Sequence, residues 1–123
     1  MTTLTEGMHT AEFLIAEAPG HISRDAVTVT VPANTTLPAG HVLGQISATG
    51  KYVPYDDGYS DGRETADGIL YDELVNDTDG AVDTDGVVIN FCAEVRGDDL
   101  DWPAGSDETG GTADLKSLGI KVR

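Results

Sequence analysis

Three histidines, one cysteine and twenty-two acidic side chains are the groups in this 123-residue chain that could carry chemistry at neutral pH. Zinc chemistry needs imidazoles gathered on one face, as i, i+4 spacing on a helix provides, and His9, His21 and His41 are each isolated. His41 stands at the entry to a hairpin and reads as a surface or packing residue. Cys92 lies in the apolar run Val87-Val88-Ile89-Asn90-Phe91-Cys92-Ala93. No basic or histidine neighbour is there to favour the thiolate, so a buried, inert thiol is expected. A lone cysteine also excludes an intrachain disulfide and a thiolate metal cluster. Gly58, Gly62 and Gly68 lack the Lys-Ser or Lys-Thr that completes a phosphate loop. Asp77-Thr78-Asp79-Gly80 and Asp83-Thr84-Asp85-Gly86 look like calcium loops and fail the test. An EF-hand needs Asp or Asn at positions 1, 3 and 5 before its glycine, and position 1 would be Val75 or Ala81. The closing glutamate is replaced by Gly86 or Cys92, so these stretches read as solvated turns. The expectation is a chain that is not an enzyme and has no catalytic, cofactor or metal site.

The elements that would position such groups are mostly extended. Asp25 to Val31 alternates in period two, valines on one face and threonines on the other, which predicts a strand stopped by Pro32. Ala33 to Ala39 reads as a loop. Val42–Ile46 and Lys51–Tyr55 are short apolar runs separated by Ser47-Ala48-Thr49-Gly50, the spacing of a β-hairpin. Asp56 to Thr65 is an acidic loop, and Ile69 to Val75 reads as a strand with a bulge where Tyr71-Asp72-Glu73-Leu74 breaks the alternation. Val87 to Val95 is the most apolar run and is expected to be a central strand buried on both sides. Thr112 is a plausible N-cap for a helix over Ala113–Leu118, stopped by Gly119, and Ile120–Arg123 is a last strand. The fold class is therefore mainly β, with one or two short C-terminal helices. Residues 1–20 read as an N-terminal arm ending in the breaker Ala18-Pro19-Gly20, and residues 21–123 as the β-rich domain.

Length and composition bound the partners. The chain suits one domain with a modest core, poor in aromatic residues, which favours stabilisation by oligomerisation. A net charge of −15 argues against nucleic acid or anionic lipid as partner. No apolar run approaches membrane-spanning length, and the start lacks the pattern of a signal peptide. Lysine is scarce, with Lys51, Lys116 and Lys121 alone, against abundant Asp, Thr, Gly and Val; this composition resembles proteins of extreme halophiles.

The order Leu37-Pro38-Ala39-Gly40, Val42-Leu43-Gly44, Gly50-Lys51-Tyr52-Val53-Pro54-Tyr55-Asp56, a polar loop and Ala66-Asp67-Gly68-Ile69-Leu70 resembles the viral head decoration proteins of the phage lambda type. Ala18-Pro19-Gly20 on one flank, and Trp102-Pro103 followed by Ser106-Asp107-Glu108-Thr109 on the other, extend the resemblance from Ala18 to the C-terminus. The chain departs from the family where the Trp-Pro to Ser-Asp-Glu-Thr spacing is one residue shorter and Gly110-Gly111 replaces a more helix-friendly run. The resemblance implies a small β-clip-like fold and a structural virion protein on the outer surface of a tailed-virus head. It further implies a homotrimer at local three-fold sites that binds the major capsid protein. The family's use of its N-terminal segment makes Phe13, Leu14, Ile15 and Ala16 the expected capsid contact, with Phe13 and Ile15 sharing one face at period two. Trp102, beside Pro103, is expected to close the core or anchor a subunit contact. The alternative from another class is an acidic secreted or surface module that binds calcium-dependently.

Overall fold

The computed structural model describes residues 9–18 and 22–123. Ten strands form in chain order: β1 Leu14–Glu17, β2 Arg24–Val31, β3 Thr35–Leu37, β4 Val42–Gln45, β5 Tyr52–Pro54, β6 Ala66–Leu70, β7 Leu74–Asn76, β8 Val82–Ile89, β9 Ala93–Val95 and β10 Ile120–Val122. A 3₁₀ turn at Gly97–Asp99 and the helix α1, Glu108–Ser117, lie between β9 and β10. Strands β2-β5-β4-β6-β8 close into a barrel, β1-β9-β10 make a three-stranded sheet, and β3 pairs with β7.

The alternating sequence of β2 does what its period predicts. It runs antiparallel to β8 over its whole length, from Arg24 opposite Ile89 to Val31 opposite Val82. Val29 and Val31 point into the barrel and are fully buried, while Thr30 turns outward and donates its hydroxyl to Asp83 at 2.7 Å. The β4–β5 hairpin pairs Leu43 with Pro54 and Gln45 with Tyr52. Gly44 is required on β4, because a side chain there would run into the backbone of Arg63 at 2.6 Å.

Two cores result, and the same strands build both. Leu43, Leu70 and Val88 fill the barrel with Val29, Val31, Leu37 and Tyr52. Their chain neighbours Val42, Ile69 and Ile89 face the other way. They join Phe13, Tyr55, Val95, Leu100, Leu115 and Ile120 in a second core between the barrel wall, the three-stranded sheet and α1.

Several expected boundaries move, each for a local reason. The run Val87–Val95 is not one strand: Cys92 adopts a left-handed φ of 44°, and its carbonyl accepts the Ser23 hydroxyl at 2.8 Å. The chain thus leaves the barrel at Ile89 and re-enters regular structure as β9 in another sheet. Cys92 is exposed at this turn, which corrects the expectation of a buried thiol. The Ile69–Val75 stretch divides into β6 and β7, and Tyr71 between them donates its amide to Val87. Thr35–Leu37, read as loop, pairs with β7. The helix starts at Glu108, not Ala113, because Asp107 caps it by accepting the Gly110 amide at 3.0 Å.

Asn76 is a buried polar residue whose sequence context announced nothing. Its amide nitrogen donates to the carbonyls of Val31, Pro32 and Gly80, and its oxygen accepts both the amide and the hydroxyl of Thr78. Every polar atom of the side chain is thereby used, and the loop after β7 is folded around it. The aspartates of that loop remain in solvent, and among the described residues no group of three His, Cys, Asp or Glu side chains is placed to hold a metal ion.

Candidate functional site: the face around β1, β9 and β10

The expected contact residues separate on folding. Phe13 is fully buried in the second core, and its carbonyl accepts the Arg96 amide at 2.9 Å. It is a structural anchor, which corrects the expectation that it lies outside the subunit core. Leu14 packs against the same core. Ile15 is 42 % exposed, and Ala16 is exposed too. The shared face expected for Phe13 and Ile15 is lost because β1 carries a bulge: Leu14 faces Val95, but Ala16 already faces Glu94, so Ile15 is the extra residue. The residues before His9, like Pro19, Gly20 and His21, lie outside the described part of the chain.

Two further apolar side chains flank this sheet, and sequence reasoning passed over both. Ile22 is 58 % exposed and Phe91 is 49 % exposed. The hydrogen bonds of Ser23 bring their segments together: its hydroxyl accepts the Ala18 amide at 3.0 Å and donates to the Cys92 carbonyl, and its own carbonyl accepts the Asn90 amide. A shallow hollow lined by Ala16, Ala18, Cys92 and Ala93, with Glu94 and Lys121 at its side, lies on the same sheet. Phe91 was hidden inside an apolar run that looked uniformly buried. The one available signal was Asn90, a poor strand former in the middle of that run.

Charge singles out this end of the molecule as well. Residues 9–18, 22–25, 90–99 and 116–123 hold six acidic and five basic side chains, whereas residues 26–89 and 100–115 hold fifteen acidic and two basic ones. The end built on β1, β9 and β10 is thus close to neutral in a strongly acidic protein. Arg24 binds Glu17 through two nitrogens at 3.0 and 2.5 Å, and its guanidinium also lies 4.3 Å from the Tyr71 ring centre. Arg123 binds Glu94 at 2.9 Å, and this hydrogen bond holds the Glu94 carboxyl below the ordinary glutamate range. Such surface pairs add little stability. They do remove the repulsion that a second acidic protein would otherwise meet here.

Trp102 lies half-buried against the second core, edge-on to Tyr55 with ring centres 6.0 Å apart and an interplanar angle of 71°. Its ring occupies the space that a side chain at Gly111 would need, and the capping carboxylate of Asp107 occupies the space beside Gly110, so the helix carries two consecutive glycines here. Pro103 is half-buried beside it, and its carbonyl accepts both the amide and the hydroxyl of Ser106. The Tyr55 hydroxyl donates to the Asp107 carbonyl at 3.1 Å, and burial, aided by the nearby carboxylates of Asp57 and Asp107, pushes its phenol upward.

Elsewhere, His41 is buried with its Nδ1 2.6 Å from Asp101 Oδ2. The backbones of the two residues also join β4 to the chain before Trp102, since Val42 donates to the Asp101 carbonyl and Asp101 to that of Gly40. The pair is a tie between segments. No helix among the described residues is long and apolar enough to cross a membrane. What the face around β1 and β9 offers is apolar contact area, a neutral setting and ordered backbone, the properties of a binding surface.

A family model described as Bacteriophage lambda head decoration protein D matches residues 3–121, nearly the whole chain. Comparison with curated proteins gives no match.

Proposed function

Since the chain belongs to the bacteriophage lambda head decoration protein D family, structural proteins of the phage capsid and not enzymes, we propose that it cements the head as a homotrimer on local three-fold sites of the major capsid protein lattice. Membership places it on the capsid surface in the virion. The finer reading draws its support from the near-neutral face: a protein of net charge −15 keeps one end free of excess charge and exposes Ile15, Ile22 and Phe91 there.

Stabilisation by such a protein is mass action. A ligand that binds the assembled lattice and not its dissociated form stabilises the lattice by an amount set by free concentration relative to Kd. In this reading residues 1–20 act as a capsid-directed segment, with Ile15 and Ala16 as its solvent-facing members and Phe13 and Leu14 anchoring it to residues 21–123. The halophile-like composition is read as an origin in a tailed virus of a salty habitat.

The test is light scattering of the purified protein at low and high concentration, with cryo-EM of expanded heads after its addition. Trimeric density on the three-fold sites is expected. A monomer both in solution and on the shell removes the trimer, and heads left bare at saturating protein remove the cementing role.

A further inference from the structure

The three-stranded sheet ends in an open edge. Strand β10 pairs with β9 in parallel, Ile120 beside Ala93 and Val122 beside Val95. Arg123 directs both its backbone groups at that neighbour, donating to Val95 and accepting from Gly97. Strand alternation gives Lys121 the same orientation and turns the amides and carbonyls of Ile120 and Val122 outward. They face a groove of about 470 Å³ lined by Thr112, Lys116, Gly119, Ile120, Lys121 and Val122. Among the described residues, neither Lys116 nor Lys121 forms an ion pair, whereas Arg24, Arg63, Arg96, Arg123 and Lys51 all do. Unpaired strand edges are sites of strand addition unless something covers them.

We infer that the groove between α1 and β10 receives an extended, acidic segment of the shell protein, which adds as a further strand to β10. This rests on the decoration reading and names the chemistry of its partner. Backbone bonds to Ile120 and Val122 supply the attachment, and Lys116 and Lys121 supply the charge preference. An acidic strand meets two lysines here, whereas the bulk of the remaining surface repels it.

The test uses the full chain. A short peptide alternating aspartate and valine, titrated against labelled protein, is expected to shift the amides of Ile120, Lys121 and Val122, and its lysine–valine counterpart to leave them unmoved. The double variant Lys116→Glu, Lys121→Glu is expected to weaken binding to expanded heads at least about tenfold, whereas each single variant is expected to weaken it measurably and Lys51→Glu, which makes the same charge change as either single variant but away from the groove, to stay near wild type. Val122→Pro removes an outward amide without breaking the β9 pairing and is expected to lose the peptide. Should it fail to fold by circular dichroism, the double variant carries the result. If the wild type binds heads and the double variant binds them equally well, with the acidic peptide leaving β10 untouched, the groove proposal falls and decoration stands. If the wild type itself leaves heads bare, the decoration reading falls.

Discussion

The barrel and the three-stranded sheet are made from the same chain under opposite rules. The barrel is built from long, locally patterned strands: β2 alternates valine and threonine, and its partner β8 matches it residue for residue. The loops that join its strands, together with α1 and the chain before it, carry most of the excess negative charge. The sheet is assembled from short pieces distant in sequence, with β1 near the start, β9 near residue 94 and β10 at the end, and its surroundings are nearly neutral. On the proposed function, the acidic surface serves solubility and the sheet serves contact. Acidity in this protein is therefore distributed, and its local absence carries more information than its overall amount.

The sharpest way to break this comparison is through Phe13 and Ile15, two residues apart with opposite environments. Phe13→Ala is expected to cost about 3–5 kcal/mol in denaturant unfolding, because it empties a filled core site. Ile15→Ala is expected to change stability by no more than about 0.5 kcal/mol while weakening attachment to heads. Deleting residues 2–17 removes Phe13 and β1 together and is expected to unfold the subunit, whereas deleting residues 2–8 spares both. Equal effects of the two single substitutions would mean that β1 is not docked as described.

A smaller effect separates core closure from subunit contact at Trp102. Gly111→Ala pushes a methyl into the Trp102 ring and is expected to cost about 1–3 kcal/mol, with a red-shifted tryptophan emission as the ring moves outward. Unchanged emission and stability would detach Trp102 from the second core.

Salt tests the charge side. The acidic surface repels itself, and screening over a Debye length of about 3 Å near molar salt relieves it, so the melting temperature is expected to climb from dilute buffer towards molar chloride. Sucrose at matched osmolality should raise it less. A curve flat in salt would mean that the acidity serves solubility alone and would withdraw the halophile reading.

The smallest effects concern single carboxylates with opposite signs. Asp83 is held below the ordinary aspartate range by hydrogen bonds from Lys51 and then Thr30, and Asp61 by Arg63. Their contribution is present above the unfolded-state range and is lost as pH falls through the depressed folded values. Asp67 on β6 is pushed upward by burial, so it favours the fold only at low pH, and that contribution disappears as pH rises through its raised value. Asp67→Asn is therefore expected to raise the melting temperature slightly at neutral pH and to leave it unchanged in acid. A loss of stability at neutral pH would show that its bond to the Gln45 backbone outweighs burial.

What could be read in the sequence follows this same division. Alternation over seven residues marked β2, and two apolar runs around a four-residue turn marked the β4–β5 hairpin, where local pattern and local pairing coincide. The sheet around β1 and β9 was not legible, because three-residue strands carry no measurable period and their partners lie some eighty residues away. Cys92 shows the limit plainly. Its neighbours are apolar, as a buried strand requires, and a single left-handed residue sends it into solvent. Likewise Gly110-Gly111 argued for a late helix start, because the ring that fills the glycine's space comes from Trp102, invisible to any local window. Of the proposed contact, Ile15 and Ala16 were expected from sequence, whereas Ile22 and Phe91 became candidates only through the hydrogen bonds of Ser23 that draw their segments together.

The wall formed by β4, β6 and β8 has one more consequence, for how the molecule comes apart. Val42 and Leu43, Ile69 and Leu70, and Val88 and Ile89 are chain neighbours that serve different cores, so neither core can melt while the other keeps its strands in place. Unfolding should therefore be a single transition, with the amides of these six residues exchanging with solvent together and through global opening alone. On the proposed attachment to a shell, strain applied at the neutral face would pass to the barrel through those shared strands, and the subunit is expected to yield as a whole.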